Sequence, residues 1–455
     1  MAKLSAPSGF RDFLPAELRR RQELMRRIRT TYERFGFEGM ETPAMENLEV
    51  FLGKGGGENE KLMFHVLKRG AELSRALAKG GTELSDLALR FDLTVPLARY
   101  FASHRGELPN IFKRYQIGPV WRAERAQHGR FREFIQCDVD VLGSSSMMVE
   151  AEVILATSTA LAELGFRDLI VRLNSRPLLL ALVESYGVPA DLVGVAVVGI
   201  DKLDKEAPDA VKAELVGKGV SEAAAAGLLD LWQSARNLTS ADRLAAIGAR
   251  VKAHPHLAGG RVEALLQQVA EVLALTPALP AGQLAFDPFL ARGMDYYTGP
   301  IFEIAAAGVP FSLAGGGRFD DLVERLSGAK VPACGFSIGF ERVYTLLEER
   351  GSFAGASGAA DALVAVTSAE SARAAIDLAV PLRAAGLRVD VFPGAGKLGA
   401  QYELAEKKGI PFAIIADAGK IGAGQVEVRS LKDRTNTAVD VLGLAAYLKT
   451  NAPEA

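Results

Sequence analysis

One short stretch of the sequence combines a cation, a carboxylate and two adjacent tyrosines. It contains Arg292, Asp295, Tyr296 and Tyr297, and the residues that follow, as far as Glu303, have the composition of a strand. Tyrosine is scarce in this chain, with nine in all, so two neighbours beside an arginine favour a ligand-binding site. A tyrosine corner that caps a sheet is the alternative interpretation, although such a corner does not require an arginine.

A second polar group lies in residues 89–96, which alternate between apolar and polar side chains. This alternation predicts a strand, and successive side chains of a strand point to opposite faces. Arg90, Asp92 and Thr94 are therefore expected to share one face. Pro96 should end the strand or lie at a sheet edge.

Residues 115–124 are predicted to form another strand, with Arg122 and Glu124 on one face. The polar residues 125–130 follow as a loop. Strand and loop together give a run of charged side chains next to a predicted sheet.

Residues 133–142 alternate most cleanly of all. Their polar face is formed by Phe134, Gln136, Asp138 and Asp140. Carboxylates two apart on a strand repel each other unless a cation or a ligand meets them, so this face indicates a binding sheet. A solvated surface sheet is the alternative, which the aromatic residue on the polar face weakens.

Two later stretches add glycines and a further arginine. Residues 315–321 are interpreted as a glycine-rich turn, in which the backbone could approach a ligand closely or could simply reverse direction. Residues 334–342 are predicted to pass from a strand into a helix. Arg342, in the first turns of that helix, could reach a phosphate or stack on a base.

Length and composition limit the class of protein. The chain has 455 residues, with 49% hydrophobic and 24% charged residues, which predicts a soluble protein of two to four domains. Its net charge of −2 argues against a generally basic surface for nucleic acid, although a local basic groove is compatible with it. Its two cysteines cannot build a disulfide framework, and its five histidines show no metal-site spacing. We expect reduced cysteines, a cytoplasmic location, and neither a membrane span nor a metal site.

The chain also shows a division into segments. Residues 166–280 have helical periodicity and are predicted to be a mostly helical insertion, after which the chain re-enters a sheet. Residues 352–360, mostly small, are predicted to be a linker. In residues 361–455 short apolar strands alternate with helices, which predicts an α/β domain with a parallel sheet. The basic residues of this domain suit RNA phosphates or a solvated surface equally well.

These parts favour catalysis by positioning and charge stabilisation. The sequence has no P-loop, dinucleotide-binding fingerprint or nucleophile elbow. It does have arginines at four separated sites: Arg122, Arg130, Arg292 and Arg342. Arginines can cradle a polyphosphate and stabilise charge in the transition state, so phosphoryl or nucleotidyl transfer fits this set.

Eight stretches resemble the histidyl-tRNA synthetases, which are class II aminoacyl-tRNA synthetases, and the resemblance extends over essentially the full length. The stretches are 9–15, 89–96, 121–125, 129–134, 136–140, 292–297, 314–320 and 335–342. The motif Arg292-Gly-Met-Asp-Tyr-Tyr297 is the most specific of them. The resemblance implies an α+β catalytic domain built on an antiparallel sheet and interrupted by a helical insertion. Residues 1–165 and 281–351 would form this catalytic core, and 361–455 an anticodon-binding α/β domain.

The resemblance also implies an activity and its partners. ATP, with Mg²⁺, and L-histidine would condense to histidyl-adenylate and pyrophosphate, and histidine would then pass to the 3′ end of tRNA(His). The family resemblance implies a homodimer.

Residue roles follow by position in the motifs. Arg122 would hold the α-phosphate, and Arg292 would occupy the place where other class II enzymes have a metal ion. The remaining implied ATP-binding residues are Glu124 at the adenine amino group, Phe134 stacked on the adenine, and Arg130 and Arg342 at the phosphates.

Histidine would be held by a second set. Asp92 and Thr94 match the ammonium-binding positions, Gln136 a neighbouring polar contact, Asp140 and Tyr297 the imidazole readers, with Tyr296 beside them. Arg125 and Gln127, in the loop 125–129, would contact the tRNA acceptor end. Phe319 stands where the family usually has tyrosine, so one hydroxyl near the imidazole pocket is missing.

A non-catalytic relative of the synthetases is the alternative function. It could be a sensor of uncharged tRNA or a regulatory subunit of ATP phosphoribosyltransferase. The sensor reading predicts loss of Arg122 or Arg342, and the regulatory-subunit reading predicts loss of Arg292 and of the C-terminal domain. The sequence retains all of them.

Overall fold

The computed structural model describes most of the chain and divides it into two compact units. The described residues are 4–52, 58–80, 84–125, 130–204, 206–254, 260–276, 279, 282–292, 296–353 and 358–451. The larger unit comprises Met1–Asp12 and Glu23–Leu346, and the smaller comprises Phe13–Gln22 and Leu347–Ala455.

The larger unit contains an eight-stranded sheet and a separate three-stranded sheet. The strands are β1 (Glu38–Gly39), β2 (Met45–Asn47), β3 (His65–Leu67), β4 (Ser85–Leu89), β5 (Phe112–Trp121), β6 (Glu133–Leu142), β7 (Leu169–Ser175), β8 (Gly282–Phe286), β9 (Pro300–Ala306), β10 (Ala314–Arg318) and β11 (Ala333–Gly339). The large sheet has the order β1-β5-β6-β11-β10-β9-β7-β8, and the small one β2-β4-β3. All neighbours from β5 to β7 in the large sheet are antiparallel, and only its two outermost pairs are parallel. The predicted α+β fold on an antiparallel sheet is confirmed.

Both units contain helices, and helices make up most of the long insertion. They are α1 (Pro15–Arg34), α2 (Leu48–Leu52), α3 (Gly70–Ala78), α4 (Thr94–His104), α5 (Met148–Glu163), α6 (Arg176–Ser185), α7 (Val193–Ile200), α8 (Pro208–Gly217), α9 (Glu222–Ala235), α10 (Ser240–Lys252), α11 (Gly260–Leu275), α12 (Asp320–Ser327), α13 (Phe340–Glu349), α14 (Ser371–Ala384), α15 (Leu398–Lys407), α16 (Ala418–Gly422) and α17 (Leu444–Thr450). Among the described residues, no helix combines the length and the apolar character needed to span a membrane.

The insertion begins later than the sequence indicates. The segment predicted as helical starts at residue 166, but β7 belongs to the main sheet, where it pairs with β8 and β9. The helices of the insertion, α6 to α11, follow this strand, and α6 to α9 share an apolar core to which Phe289 and Ala291 also contribute. The period-2 signal of β7 is weak because most of its side chains are buried on both faces.

The smaller unit carries a five-stranded sheet. Its strands are β12 (Ala362–Val366), β13 (Val389–Val391), β14 (Phe412–Ala416), β15 (Gln425–Ser430) and β16 (Asn436–Asp440). β12 is parallel to β13 and β14, whereas β15 and β16 form an antiparallel extension. Packing of α14 and α17 on this sheet buries a continuous apolar core, as expected for the predicted α/β domain.

Two local predictions are wrong. Residues 89–96 do not form one strand, because β4 ends at Leu89 and α4 begins at Thr94. Asp92 accepts a hydrogen bond at Oδ1 from the backbone N–H of Val95, at 3.2 Å, which satisfies one of the free donors of the first helical turn. Pro96 fits that turn, where its missing N–H costs no hydrogen bond.

The glycine-rich segment is the second correction. Residues 314–318 form strand β10 in the middle of the large sheet, and all of them are buried. Phe319 follows this strand directly and is the N-cap residue of α12. β5 likewise ends at Trp121, so Arg122 and Glu124 follow the strand and do not lie on it.

Candidate active site

A cavity of about 70 Å³ opens on one face of the large sheet. Strands β6, β10 and β11 form its floor, and the loop before α4 and the chain around Arg292 form its walls. Its lining includes Asp92, Thr94, Arg122, Gln136, Asp138, Asp140, Arg292, Tyr296, Tyr297, Phe319 and Ser337. Segments as far apart in the sequence as Asp92 and Ser337 therefore meet at one point.

The polar face of β6 forms one side of this cavity. Gln136, Asp138 and Asp140 are all buried, and they follow one another along the strand at intervals of two residues, as the alternation predicts. Gln136 donates a hydrogen bond from Nε2 to Ser337 Oγ at 3.1 Å. Asp140 Oδ2 lies 2.7 Å from Nη2 of Arg114, its partner across the β5–β6 pair. Arg114 is completely buried, so this ion pair lies in the interior of the unit.

Asp92 and Asp138 each keep one oxygen without a protein partner. Within the described residues, Asp92 Oδ2 and Asp138 Oδ1 have no hydrogen-bond donor, although the two residues are only 1% and 2% exposed. A buried carboxylate oxygen without a donor costs free energy, so it is normally met by water or by a ligand. The cavity is therefore suited to a ligand that brings N–H donors or positive charge.

Burial raises the pKa of all three carboxyl groups. It raises the pKa of Asp92 to about 7 and that of Asp140 to about 7, and it raises the pKa of Asp138 as well. Arg114 opposes the effect at Asp138 and Asp140 by stabilising their ionised forms. Asp92 and Asp140 therefore titrate in the neutral range, and a bound cation would favour the ionised state of all three carboxyl groups.

Arg292 lies at the other end of the cavity and is held from one side. Its Nη1 donates to Glu303 Oε2 at 3.0 Å. Its guanidinium lies directly over Gly315, where a Cβ atom would come within 2.2 Å of the guanidinium carbon and both terminal nitrogens. Among the described residues, Arg292 Nε has no hydrogen-bond acceptor. One donor of a half-buried cation thus stays available to an anionic ligand.

A glycine on the next strand leaves space for Asp140 in the same way. A Cβ atom on Gly335 would lie 1.8 Å from Asp140 Oδ1. Gly315 of β10 and Gly335 of β11 are therefore required by the side chains that lie over the sheet, which helps to explain why a glycine-rich segment forms a buried strand.

The two tyrosines line the wall between the two ends. Their ring centroids are 4.9 Å apart, and Tyr296 contacts Phe319 edge-on at 6.0 Å. The side chain of Thr94 acts to lower the pKa of Tyr296, and those of Arg292 and Tyr296 act to lower that of Tyr297. Burial raises the pKa of both tyrosines, so both hydroxyls are neutral and can donate hydrogen bonds to a ligand.

Cations continue from Arg292 along the open side of the cavity. Arg122 donates from Nε to the carbonyl oxygen of Phe91 at 3.0 Å, and its guanidinium lies 5.1 Å from the ring centre of Phe134. Arg342 donates to the carbonyl oxygen of Ser312 at 3.0 Å. Burial lowers the pKa of Arg342, and the neighbouring charges of Arg130, Arg292 and Arg122 lower it further. Four guanidinium groups therefore share one electrostatic field, which is typical of a polyphosphate site.

Comparisons with known proteins agree with this geometry. The family model described as "Histidyl-tRNA synthetase" matches residues 9–343. The chain belongs to the histidyl-tRNA synthetase family. A second family model, "Anticodon binding domain", matches residues 361–451.

Individual members of the family cover nearly the whole chain. A histidine–tRNA ligase of Stenotrophomonas maltophilia is 39% identical and covers 99% of this chain and 98% of its own length. One of Leifsonia xyli is 45% identical, covering 76% of this chain and 80% of the relative. The crystal structure of histidyl-tRNA synthetase from Nostoc sp. PCC 7120 superposes with a TM-score of 0.82 at 28% identity, over 99% of this chain and all of the other.

A further structure bears on the non-catalytic alternative. It is described as an ATP phosphoribosyltransferase regulatory subunit/histidyl-tRNA synthetase from Bacillus halodurans C, with a TM-score of 0.71 and 20% identity, over 89% of this chain and 97% of the other. At that identity the likeness shows a shared fold alone. The family members of higher identity are named as ligases.

The structure brings most of the predicted site residues together. Eight of them line the cavity: Arg122, Arg292, Asp92, Thr94, Gln136, Asp140, Tyr296 and Tyr297. Phe134 contacts Arg122, and Glu124 forms an ion pair with Arg130. Arg125 lies in the coil after β5, whereas Gln127 and Asp295 lie outside the described residues.

Four residues at the site were not predicted to act there. Asp138 stands on the predicted polar face of β6, so its alternation with Gln136 and Asp140 could have identified it. Arg114, Ser337 and Glu303 gave no such signal, because their partners come from other strands and depend on strand order and register.

Proposed function

We propose that this chain is a histidine–tRNA ligase. In the first step a carboxylate oxygen of L-histidine attacks the α-phosphorus of ATP. The bond from that phosphorus to the bridging oxygen breaks, pyrophosphate leaves, and histidyl-adenylate forms. In the second step a ribose hydroxyl at the 3′ end of tRNA(His) attacks the histidyl carbonyl carbon, and AMP leaves.

The observation that carries this proposal is the division of the cavity between two kinds of charge. Carboxylate oxygens without donors lie at one end, on Asp92 and Asp138. A half-buried cation with an unused donor, Arg292, lies at the other. A ligand that fits has N–H groups at one end and a phosphate at the other, as an aminoacyl-adenylate does.

Histidine selection is proposed to rest on hydrogen bonds more than on shape. Asp92, with Thr94 beside it, receives the α-ammonium group. Asp140 and Tyr297 receive the two ring nitrogens, with Tyr296 supporting its neighbour and Gln136 near the α-carboxylate. A pocket built to bond both ring nitrogens strongly rejects an amino acid without them, because its own buried polar groups would then be left unpaired.

ATP is proposed to bind along the row of cations. Arg122 and Arg292 contact the α-phosphate, and Arg292 stabilises the negative charge that develops there during attack. Arg342 and Arg130 hold the outer phosphates. Phe134 stacks on the adenine. Glu124 accepts a hydrogen bond from the amino group of the adenine, and it would give up its ion pair with Arg130 to do so.

Magnesium belongs to the substrate in this scheme. The side chains facing the proposed phosphate position are guanidinium groups, which are cations and do not ligate metal. Mg²⁺ is therefore expected to arrive with ATP and to be held mainly by phosphate oxygens and water.

The RNA is proposed to contact two regions. Arg125 and Gln127 would meet the acceptor end, and the smaller unit would bind the anticodon. Exposed basic side chains suited to phosphates in that unit are Lys397, Lys432 and Arg434. We further propose that the protein is a cytoplasmic homodimer, which light scattering would test by finding twice the chain mass of 48.5 kDa.

The test is single-turnover formation of histidyl-adenylate by the wild type and by Arg292→Ala. Loss of one charge-stabilising donor lowers such rates by about 100- to 1,000-fold. Histidine affinity should change little, because Arg292 faces the phosphate. Equal rates in the two proteins would remove Arg292 from the chemistry. Failure of the wild type to form adenylate while still binding tRNA would favour a non-catalytic sensor.

A further inference from the structure

A row of side chains with alternating charge crosses the large sheet and ends at Arg292 in the active site. Arg172 on β7 is the cross-strand partner of Glu303 on β9, and Glu303 is in turn the partner of Gly315 on β10. Because Gly315 has no side chain, the guanidinium of Arg292 lies over it and reaches Glu303. The order across three strands is therefore cation, carboxylate, cation.

The distances show that each charge is held by the next. Arg292 Nη1 donates to Glu303 Oε2 at 3.0 Å, and the other oxygen, Oε1, lies 3.7 Å from Arg172 Nη1. Arg172 donates from Nε to Asp287 Oδ2 at 2.6 Å, and its Nη2 lies equally close to that oxygen. Asp287 follows the end of β8, so the row is anchored at the edge of the sheet.

Partial burial makes these contacts more than surface ion pairs. The side chains of Arg172, Glu303 and Asp287 are about one-fifth exposed, as is that of Arg292. Exposed pairs contribute little because solvent screens them and the side chains lose entropy. Here the strand register fixes the backbones of Arg172 and Glu303, which reduces the entropy lost when the side chains align.

We propose that Glu303 is a positioning residue that orients Arg292 for attack on the α-phosphate. Arg172, tied to Asp287, holds Glu303 in turn. Glu303 holds one terminal nitrogen of Arg292, which restricts rotation of the guanidinium, while Arg292 lines the cavity and its Nε keeps no acceptor among the described residues. This inference rests on the proposed function and adds residues that no motif of the reaction includes.

A charge-neutral substitution isolates the effect. Glu303→Gln keeps the shape but removes the charge that aligns Arg292, and misplacement of a reacting group by about 1 Å can cost on the order of 100-fold. The expected result is a rate of adenylate formation lowered by about 10- to 100-fold at saturating substrates, with the KM values for ATP and histidine close to those of the wild type. Glu303→Asp should recover part of the rate.

A double-mutant cycle separates positioning from general stability. If Glu303 acts only through Arg292, the variant with both Glu303→Gln and Arg292→Ala is no slower than Arg292→Ala alone. A residue needed merely for folding would lower the rate of the double variant further. Glu152→Gln is the matched control, because it breaks an ion pair of the same unit, with Lys113 at 2.7 Å.

Arg172 supplies the second arm of the test. Arg172→Met should slow adenylate formation less than Glu303→Gln does, and it should have no effect in the Glu303→Gln background. Wild-type rates for Glu303→Gln, or independent effects of Glu303 and Arg292, would overturn the proposal. Recovery of Glu303→Gln by higher magnesium concentration would also overturn it, since that would assign the carboxylate to a metal. Absence of adenylate formation by the wild type would instead refute the proposed function.

Discussion

Replacement of Gly315 by alanine should displace the side chain of Arg292 and so impair its function, although Arg292 itself is not mutated. The added Cβ would lie 2.2 Å from the guanidinium carbon and nitrogens, whereas carbon atoms in contact are about 3.5–4.0 Å apart. The strand is fixed on both sides by β9 and β11, so the arginine must give way by roughly 1.5 Å. A shift of that size in a catalytic group costs about 100-fold in rate, or about 3 kcal/mol of transition-state stabilisation.

The assay is rapid-quench measurement of histidyl-adenylate formation at saturating ATP and histidine. Gly315→Ala should lower this rate by about 100-fold and leave the KM for histidine nearly unchanged, because the carboxylates lie on another strand. Gly339→Ala is the matched control in the same sheet, since its Cβ would meet its nearest neighbour at 3.5 Å, an ordinary contact. Thermal unfolding of both variants checks that the sheet is intact.

Two results would refute the reasoning. A wild-type rate for Gly315→Ala would mean that the position of Arg292 does not govern activation. If the variant is too unstable to assay, the double variant with Arg292→Ala decides, because removal of the guanidinium makes room for the methyl group. That double variant should fold and should match Arg292→Ala in rate.

Four other outcomes follow from the buried charges of the larger unit. Asp140→Asn should raise the KM for histidine by at least about 10-fold and leave that for ATP unchanged, as exchange kinetics would show, because a charge-assisted hydrogen bond is lost. Burial raises the pKa of Asp92 and Asp140 to about 7, so their carboxyl groups lose charge below that pH. The KM for histidine, corrected for titration of the free amino acid, should therefore rise as pH falls below about 7. The KM for ATP should not show this rise. The same raised values mean that the folded protein binds these protons more tightly than the unfolded chain, so their contribution to the free energy of unfolding should decrease as pH rises from about 4 to about 7 in urea titrations. Glu150→Gln should destabilise the larger unit by about 3 kcal/mol in urea unfolding, because it leaves Arg318, bonded to it at 2.6 Å, as a buried charge with weaker partners.

Periodicity predicted the parts of the site that lie on one regular strand. The line of Gln136, Asp138 and Asp140 is visible in the sequence because strand side chains alternate and the opposite face is apolar. The arginines could be named as phosphate ligands for their chemistry and for the motifs they stand in.

Residues 89–96 show where alternation misleads. Their polar and apolar side chains alternate as in a strand, yet Asp92 lies in the loop just before α4 and reaches the cavity from there. The hydrogen bond from Val95 and the packing of α4 decide the conformation, and so short an alternating stretch does not exclude it.

Periodicity within one segment could not predict contacts between segments that are distant in the sequence. Nothing in the sequence pairs Arg114 with Asp140 or Glu303 with Arg292, because both contacts depend on the order and register of the sheet. Gly315 was interpreted as part of a turn because glycine is common in turns. Its actual reason is the arginine above it, which becomes visible only once the strands are assembled.

The most direct test of the central claim is ATP–pyrophosphate exchange with the wild-type protein and each of the twenty amino acids in turn. The two-ended cavity predicts rapid exchange with histidine and none above background with the other nineteen, including asparagine and glutamine. Exchange driven by another amino acid would contradict the assigned pocket. Absence of exchange with histidine, in protein that still binds tRNA, would contradict the proposed activity itself.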